Sequence, residues 1–133
     1  MIPLSILIAD DDAECRLALG DVLRHAGYHT WLVESGLRAV ELIRRMPVRP
    51  HLAVLDFHMP DLTGLEVVRM LRAQQIVIPA IMITGDSSKE LMLEALSAGA
   101  ETVVHKPISP AVLTYAVQQV IQRRFRAQAP PPA

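Results

Sequence analysis

Short apolar runs alternate with amphipathic stretches five times along this chain, and Gly, Pro or a small polar residue punctuates each change. The runs are Ser5 to Ala9, Tyr28 to Val33, Leu52 to Asp56, Ala80 to Thr84 and Thr102 to His105. They have strand length, and most lack the polar alternation of a strand with one wet face, so both faces must be covered. Strands of this kind, each followed by a helix, build a parallel sheet. Right-handed crossovers then place helices on both sides of it. The pattern predicts a doubly wound α/β fold with five parallel strands and five helices.

The helices have readable starts and stops. Ala13 to Ala26 carries Leu17, Leu19, Val22 and Leu23 on its apolar side, and Gly27 stops it. Ser35 caps a helix over Gly36 to Met46, with Val40 and Ile43 inward, before Pro47 and Pro50 close it. The turn-rich segment His58-Met59-Pro60-Asp61-Leu62-Thr63-Gly64 leads into a third, with Leu65, Val68 and Leu71 at helical spacing. Ser87 and Glu90 have capping-box spacing for a fourth, Ser88 to Ala98, which Gly99 ends. Ser109 followed by Pro110 opens the fifth, with Leu113, Ala116, Val117, Val120 and Ile121 inward.

At 133 residues there is room for one core, and 4% aromatic content against 51% hydrophobic content makes that core aliphatic. The domain is expected over 1–126, with 127–133 a Pro-rich tail or a cut linker. Thirteen basic residues against 14 acidic ones give no overall charge argument for a nucleic-acid or membrane partner. The basic run at 123–126 reads as a solvated helix end that suits the dipole. Cys15 has no partner for an internal disulfide and reads as a small core or boundary filler. The apolar N-terminus lacks a basic leader, and Ile76 to Ile83 is broken by Pro79 and too short to span a bilayer. A soluble cytoplasmic protein is expected.

In a doubly wound sheet the functional crevice lies at the carboxyl ends of the strands, near the point where the winding reverses. Those ends carry Asp10-Asp11-Asp12 after the first strand, Asp56 after the third, Thr84 after the fourth and Lys106-Pro107 after the fifth. Taken singly, an Asp triplet is a loop or helix cap, Asp56 a turn cap and Thr84 an ordinary strand end. Taken together, carboxylates converging on one crevice repel unless a cation compensates them, and hard oxygen ligands favour Mg²⁺ or Mn²⁺. Phosphoryl transfer needs a nucleophilic oxygen, a divalent ion, a hydroxyl donor and a fixed positive charge. Each requirement is filled here. The histidines lack the spacing of a zinc site.

The blocks Ile-Leu-Ile-Ala-Asp-Asp-Asp, Leu-Asp-Phe-His-Met-Pro-Asp-Leu-Thr-Gly-Leu-Glu, Ile-Thr-Gly-Asp and His-Lys-Pro span nearly the whole chain and resemble the signature blocks of response-regulator receiver domains. The resemblance implies the flavodoxin-like strand order 2-1-3-4-5. It implies that Asp10 and Asp11 hold Mg²⁺, that Asp56 is phosphorylated, and that the main-chain carbonyl of His58 completes the metal shell. Thr84 and Lys106 would each bind a phosphoryl oxygen, and the Lys106–Pro107 bond would be cis. The implied partner is a histidine kinase or a histidine phosphotransfer protein. The implied role is a switch of the surface made by the fourth helix, fifth strand and fifth helix, with self-catalysed acceptance and hydrolysis of the phosphoryl group.

The match has departures. Receivers place an aromatic residue three positions before the lysine, where this chain has Val103, and often an alanine after the threonine, where it has Gly85. Three rivals are weaker. A nucleotide-binding domain needs a Gly- or Ser/Thr-rich phosphate loop where Asp10 to Asp12 would repel the phosphate. A haloacid-dehalogenase-type phosphohydrolase needs a threonine that Asp10-Asp11-Asp12-Ala13-Glu14 lacks. A docking module that has lost phosphorylation is the reading Val103 suggests, but every reacting residue type is present.

Overall fold

A computed structural model describes residues 3–125 of the chain. Five strands alternate with five helices: β1 (Ser5–Ala9), α1 (Ala13–His25), β2 (His29–Val33), α2 (Gly36–Arg45), β3 (Leu52–Asp56), α3 (Gly64–Ala73), β4 (Ala80–Thr84), α4 (Lys89–Ser97), β5 (Thr102–His105) and α5 (Pro110–Arg124). The strands pair in parallel throughout, in the order β2-β1-β3-β4-β5. The flavodoxin-like doubly wound architecture is therefore as expected. The expected tail at 127–133 and Arg126 lie outside the described residues.

Side-chain alternation along each strand feeds two separate cores. Ile6, Ile8, Val54, Ile81, Ile83 and Val104 point to the face covered by α1 and α5, where Leu19, Leu23, Leu113, Val117 and Val120 meet them. Leu7, Ala9, Ala53, Leu55 and Met82 point to the opposite face, against Val40 and Ile43 of α2, Leu65, Val68 and Leu71 of α3, and Ala95 of α4. The central strands β3 and β4 are buried along their whole length. Burial of this apolar area, at about 25 cal/mol per Å², is the main force holding the layers together.

Helix starts are fixed by local chemistry. The Asp12 carboxylate accepts the Glu14 amide, the Ser35 hydroxyl the Arg38 amide and the Ser109 hydroxyl the Val112 amide. Thr63 and Glu66 form a reciprocal capping box at α3. Two sequence expectations need correction. Leu17 is 54% exposed, because Leu19 and Leu23 fill the inward stripe of α1 and leave it on the wet side. The cap of α4 is Ser88 rather than Ser87: the Asp86 carboxylate takes the Ser88 amide at 2.9 Å, which sets that residue extended so its own hydroxyl receives the Leu91 amide.

Candidate functional site

The winding direction reverses between β1 and β3, so the loops leaving these neighbouring strands diverge to opposite faces and open a crevice above them. Asp10 follows β1 and Asp56 ends β3, one on each side of that opening. Their main chains are tied to the sheet: the Asp10 amide reaches Val33 O at 3.2 Å, and the Phe57 amide reaches Ile83 O at 2.8 Å. Both carboxylates are buried, Asp10 fully and Asp56 at 3% exposure. Asp11 stands beside them, exposed, and ligand oxygens of Asp10, Asp11 and Asp56 lie within 4.8 Å of one another.

Lys106 enters from the end of β5. Its Nζ donates to Asp56 Oδ2 at 3.1 Å and sits 3.5 Å from Asp10 Oδ2. The Lys106 amide donates to Thr84 O at 2.8 Å, which locks the end of β5 to the end of β4, and the Lys106–Pro107 bond is cis. Burial works against the ammonium, but hydrogen bonding to Asp56 and the charge of Asp10 outweigh it and hold its pKa above the usual lysine value. The Asp56 carboxyl is pushed up to about 6, first by burial and then by the Asp10 charge, with Lys106 pulling the other way. Thr84 is fully buried, and its Oγ1 accepts the Asp86 amide at 3.0 Å. That bond leaves the Thr84 hydroxyl proton to donate elsewhere.

The donor set suits a hard divalent cation. Asp10 Oδ1 accepts the Asp12 amide and Asp56 Oδ1 the His58 amide, while Asp10 Oδ2 is buried without a hydrogen-bond partner among the described residues. Buried carboxylate oxygens are seldom left unpartnered, and Lys106 supplies one positive charge against three carboxylates. The sequence-predicted residues Asp10, Asp11, Asp56, Thr84 and Lys106 are thus brought to one crevice. His58 lies two residues after Asp56 on the loop above β3, its side chain exposed.

Three supporting contacts escaped the sequence reading. Arg16 Nη1 donates to the Asp10 carbonyl at 2.7 Å, fixing the residue that bears the buried carboxylate. Asp61 accepts the Gly36 and Leu37 amides at 3.1 and 2.9 Å, tying the loop after Asp56 to the start of α2. Burial works slightly against its charge, but the Leu37, Leu62 and Gly36 amides hold its carboxyl below the ordinary value. Gly64 has no room for a side chain, since a Cβ there would lie 2.5 Å from Met82 Sδ and 2.8 Å from Asp56 O. Only Gly64 had a local signal, as the end of a turn-rich segment. The Cys15 thiol, pushed up to about 12 by burial and then by Asp10, stays protonated.

A five-stranded doubly wound sheet with an acidic cluster, a buried hydroxyl and a lysine at its strand ends defines an α/β domain of the flavodoxin-like class. The family model of the response regulator receiver domain matches residues 6–118, and the chain belongs to that family, the receivers of two-component signalling. It is 34% identical over 118 residues to the "DNA-binding response regulator MtrA" of Mycobacterium tuberculosis (strain ATCC 25618 / H37Rv), covering 89% of this chain and 50% of that protein. It is 33% identical over 129 residues to "Response regulator MprA" of Mycobacterium sp. (strain KMS), covering 97% and 55%. The chain thus spans about half the length of these relatives.

Among solved structures, the receiver domain of Francisella response regulator 1452 superposes with a TM-score of 0.84 at 28% identity, covering 90% of this chain and 98% of that one. A CheY-like receiver protein from Methanospirillum hungatei JF-1 gives 0.85 at 25% identity, covering 94% and 98%. The BeF3-activated DrrB receiver domain gives 0.81 at 26%, covering 92% and 100%. No helix among the described residues is long and apolar enough to cross a membrane.

Proposed function

We propose that Asp56 accepts a phosphoryl group from a histidine kinase or histidine phosphotransfer protein, and that this acceptance switches the α4-β5-α5 surface. The observation that carries the reading is the convergence of Asp10, Asp11 and Asp56 with Lys106 Nζ 3.1 Å from Asp56 Oδ2. Asp10, Asp11, Asp56 and the His58 carbonyl would hold Mg²⁺ or Mn²⁺, which would offset the clustered carboxylates and the charge on the transferring oxygens.

This chain's own groups do the rest. An Asp56 carboxylate oxygen attacks the donor's phosphorus as the bond to the leaving nitrogen or oxygen breaks. Lys106 turns from the Asp56 carboxylate to a phosphoryl oxygen, and the Thr84 hydroxyl donates to another. Drawing Thr84 toward the phosphoryl group pulls on Asp86, whose amide it holds, and through Ser88 on the start of α4. The phosphorylated and resting states are therefore expected to differ most in segment 85–92. Val103 has too few atoms to follow Thr84 across that distance and changes little.

The test is labelling with acetyl phosphate and Mg²⁺. A base-labile acyl phosphate should form on the wild-type chain and be absent from Asp56→Asn. A label that persists in the variant supports a phosphohydrolase-type centre instead, and a chain that accepts no phosphoryl group from any donor is a docking module.

A further inference from the structure

Val103 leaves the readout of Thr84 without the aromatic side chain that the receiver resemblance leads one to expect, and the neighbouring strand offers another ring. In the parallel register of β4 and β5, Met82 pairs with Val103 and Thr84 with His105. Paired residues of parallel strands point to the same face, and residues two apart on one strand do so as well. Met82 belongs to the core beneath α2, α3 and α4, and Val103, partly buried, packs against it. Thr84 and His105 therefore stand side by side on the α4 side of the sheet, one strand spacing apart, about 4.8 Å. Thr84 is fully buried there.

His105 is polar in a place that does not satisfy it. Its Nε2 is buried and has no hydrogen-bond partner among the described residues. An unpartnered buried nitrogen has given up water without a replacement bond, which disfavours the state that holds it so. His105 also belongs to the lining of a groove of about 460 Å³ between β5 and α5, with Val103, Pro107, Val112 and Tyr115, so open space lies close to its strand. Beyond it the chain runs directly into Lys106, whose side chain reaches Asp56 and whose amide holds Thr84 O. His105 is thus joined to both groups that a phosphoryl group would draw inward, to Thr84 across the sheet and to Lys106 along the strand.

We propose that His105 reads the displacement of Thr84: when Thr84 moves toward the phosphorylated Asp56, the imidazole turns into the space it leaves, and Nε2 gains a hydrogen bond to the loop that follows Thr84. The inference rests on Asp56 being the phosphoacceptor. It gives the two states a discrete difference without an aromatic residue at 103. The unsatisfied nitrogen makes the resting state less comfortable, and the new bond favours the activated one. Both effects act in the same direction. His105 is a positioning residue, since it touches Thr84's side of the sheet rather than the reacting atoms.

The test uses the 133-residue chain with Mg²⁺ and beryllofluoride, a phosphoryl mimic. Imidazole ¹⁵N spectra report the five histidines, and His105→Gln assigns the signal of this one. The Nε2 resonance of His105 should shift on activation together with the amides of segment 85–92. Beryllofluoride affinity should fall about fivefold in His105→Val, at the low end of couplings between linked sites, and should recover in part in His105→Gln, which keeps a polar tip. A merely structural histidine would change the melting temperature in the variants without a ring signal that follows the ligand. If beryllofluoride binds and segment 85–92 responds while the His105 ring does not, this inference is overturned and the phosphoacceptor reading stands. If beryllofluoride does not bind the wild-type chain, both fall together.

Discussion

Lys106 Nζ bonds to Asp56 Oδ2 at 3.1 Å across fifty residues of sequence, and the same ammonium lies 3.5 Å from Asp10 Oδ2. One cation is thus shared between two buried carboxylates that repel each other. Burial and the Asp10 charge win over Lys106 at Asp56, whose carboxyl is pushed up from 3.8 to about 6.

That shift has a sign that can be measured. Between the two pKa values the folded, metal-free chain binds more protons at Asp56 than the unfolded chain does, so Asp56 makes stability fall as pH rises through that window. At pH 7 without metal, Asp56→Asn should stabilise the fold by about 1–2 kcal/mol, less than the full shift implies because the amide that replaces the carboxylate is still a buried polar group. Thermal unfolding in the presence of a chelator should show a rise of about 3–6 °C. At pH 4 the gain should disappear. An equal gain at both pH values would mean that the carboxylate's burial is not its source.

The metal-binding claim is separable from phosphorylation. Asp11 is the exposed member of the cluster, so Asp11→Ala should leave the fold intact while removing a ligand. Mg²⁺ affinity measured by calorimetry should drop at least tenfold, since even outer-sphere losses at metal sites cost about 10–100-fold. Equal affinities in the two proteins would take Asp11 out of the site.

Asp61 gives a prediction about the scaffold. It accepts two amides at the start of α2 while standing on the loop that follows Asp56. Asp61→Ala should cost about 1 kcal/mol, the usual worth of a helix cap. Its carboxyl is held below the ordinary value, so the contribution is complete above the usual carboxylate range and is lost as pH falls through the depressed one. Urea unfolding of both proteins at pH 7 and at acid pH should show a smaller difference at the lower pH.

The strands and the strand-end residues were legible because the physics behind them is local. Continuous apolar runs had to be covered on both faces, and Asp10, Asp56, Thr84 and Lys106 each stood at the end of one. The contacts that were not legible join distant segments. Nothing around Asp61 says that its carboxylate caps a helix beginning 25 residues earlier. The unpartnered nitrogen of His105 depends on what α4 and β4 bring beside it. The helix ends slipped where two candidates compete: Ser87 and Ser88 are equally good caps by type, and the Asp86 carboxylate decides between them. Leu17 was assigned inward on residue type alone, although the inward stripe of α1 was already full.

The measurement that reaches the central claim most directly is the position of the phosphoryl group. Borohydride reduces an aspartyl phosphate to homoserine, so the wild-type chain, phosphorylated by acetyl phosphate with Mg²⁺ and then reduced, carries a permanent mark that peptide mass spectrometry can place. Homoserine at position 56, dependent on Mg²⁺, is the predicted result. Homoserine at position 10 or 11, or at no aspartate in a chain that nonetheless binds Mg²⁺, would contradict the account.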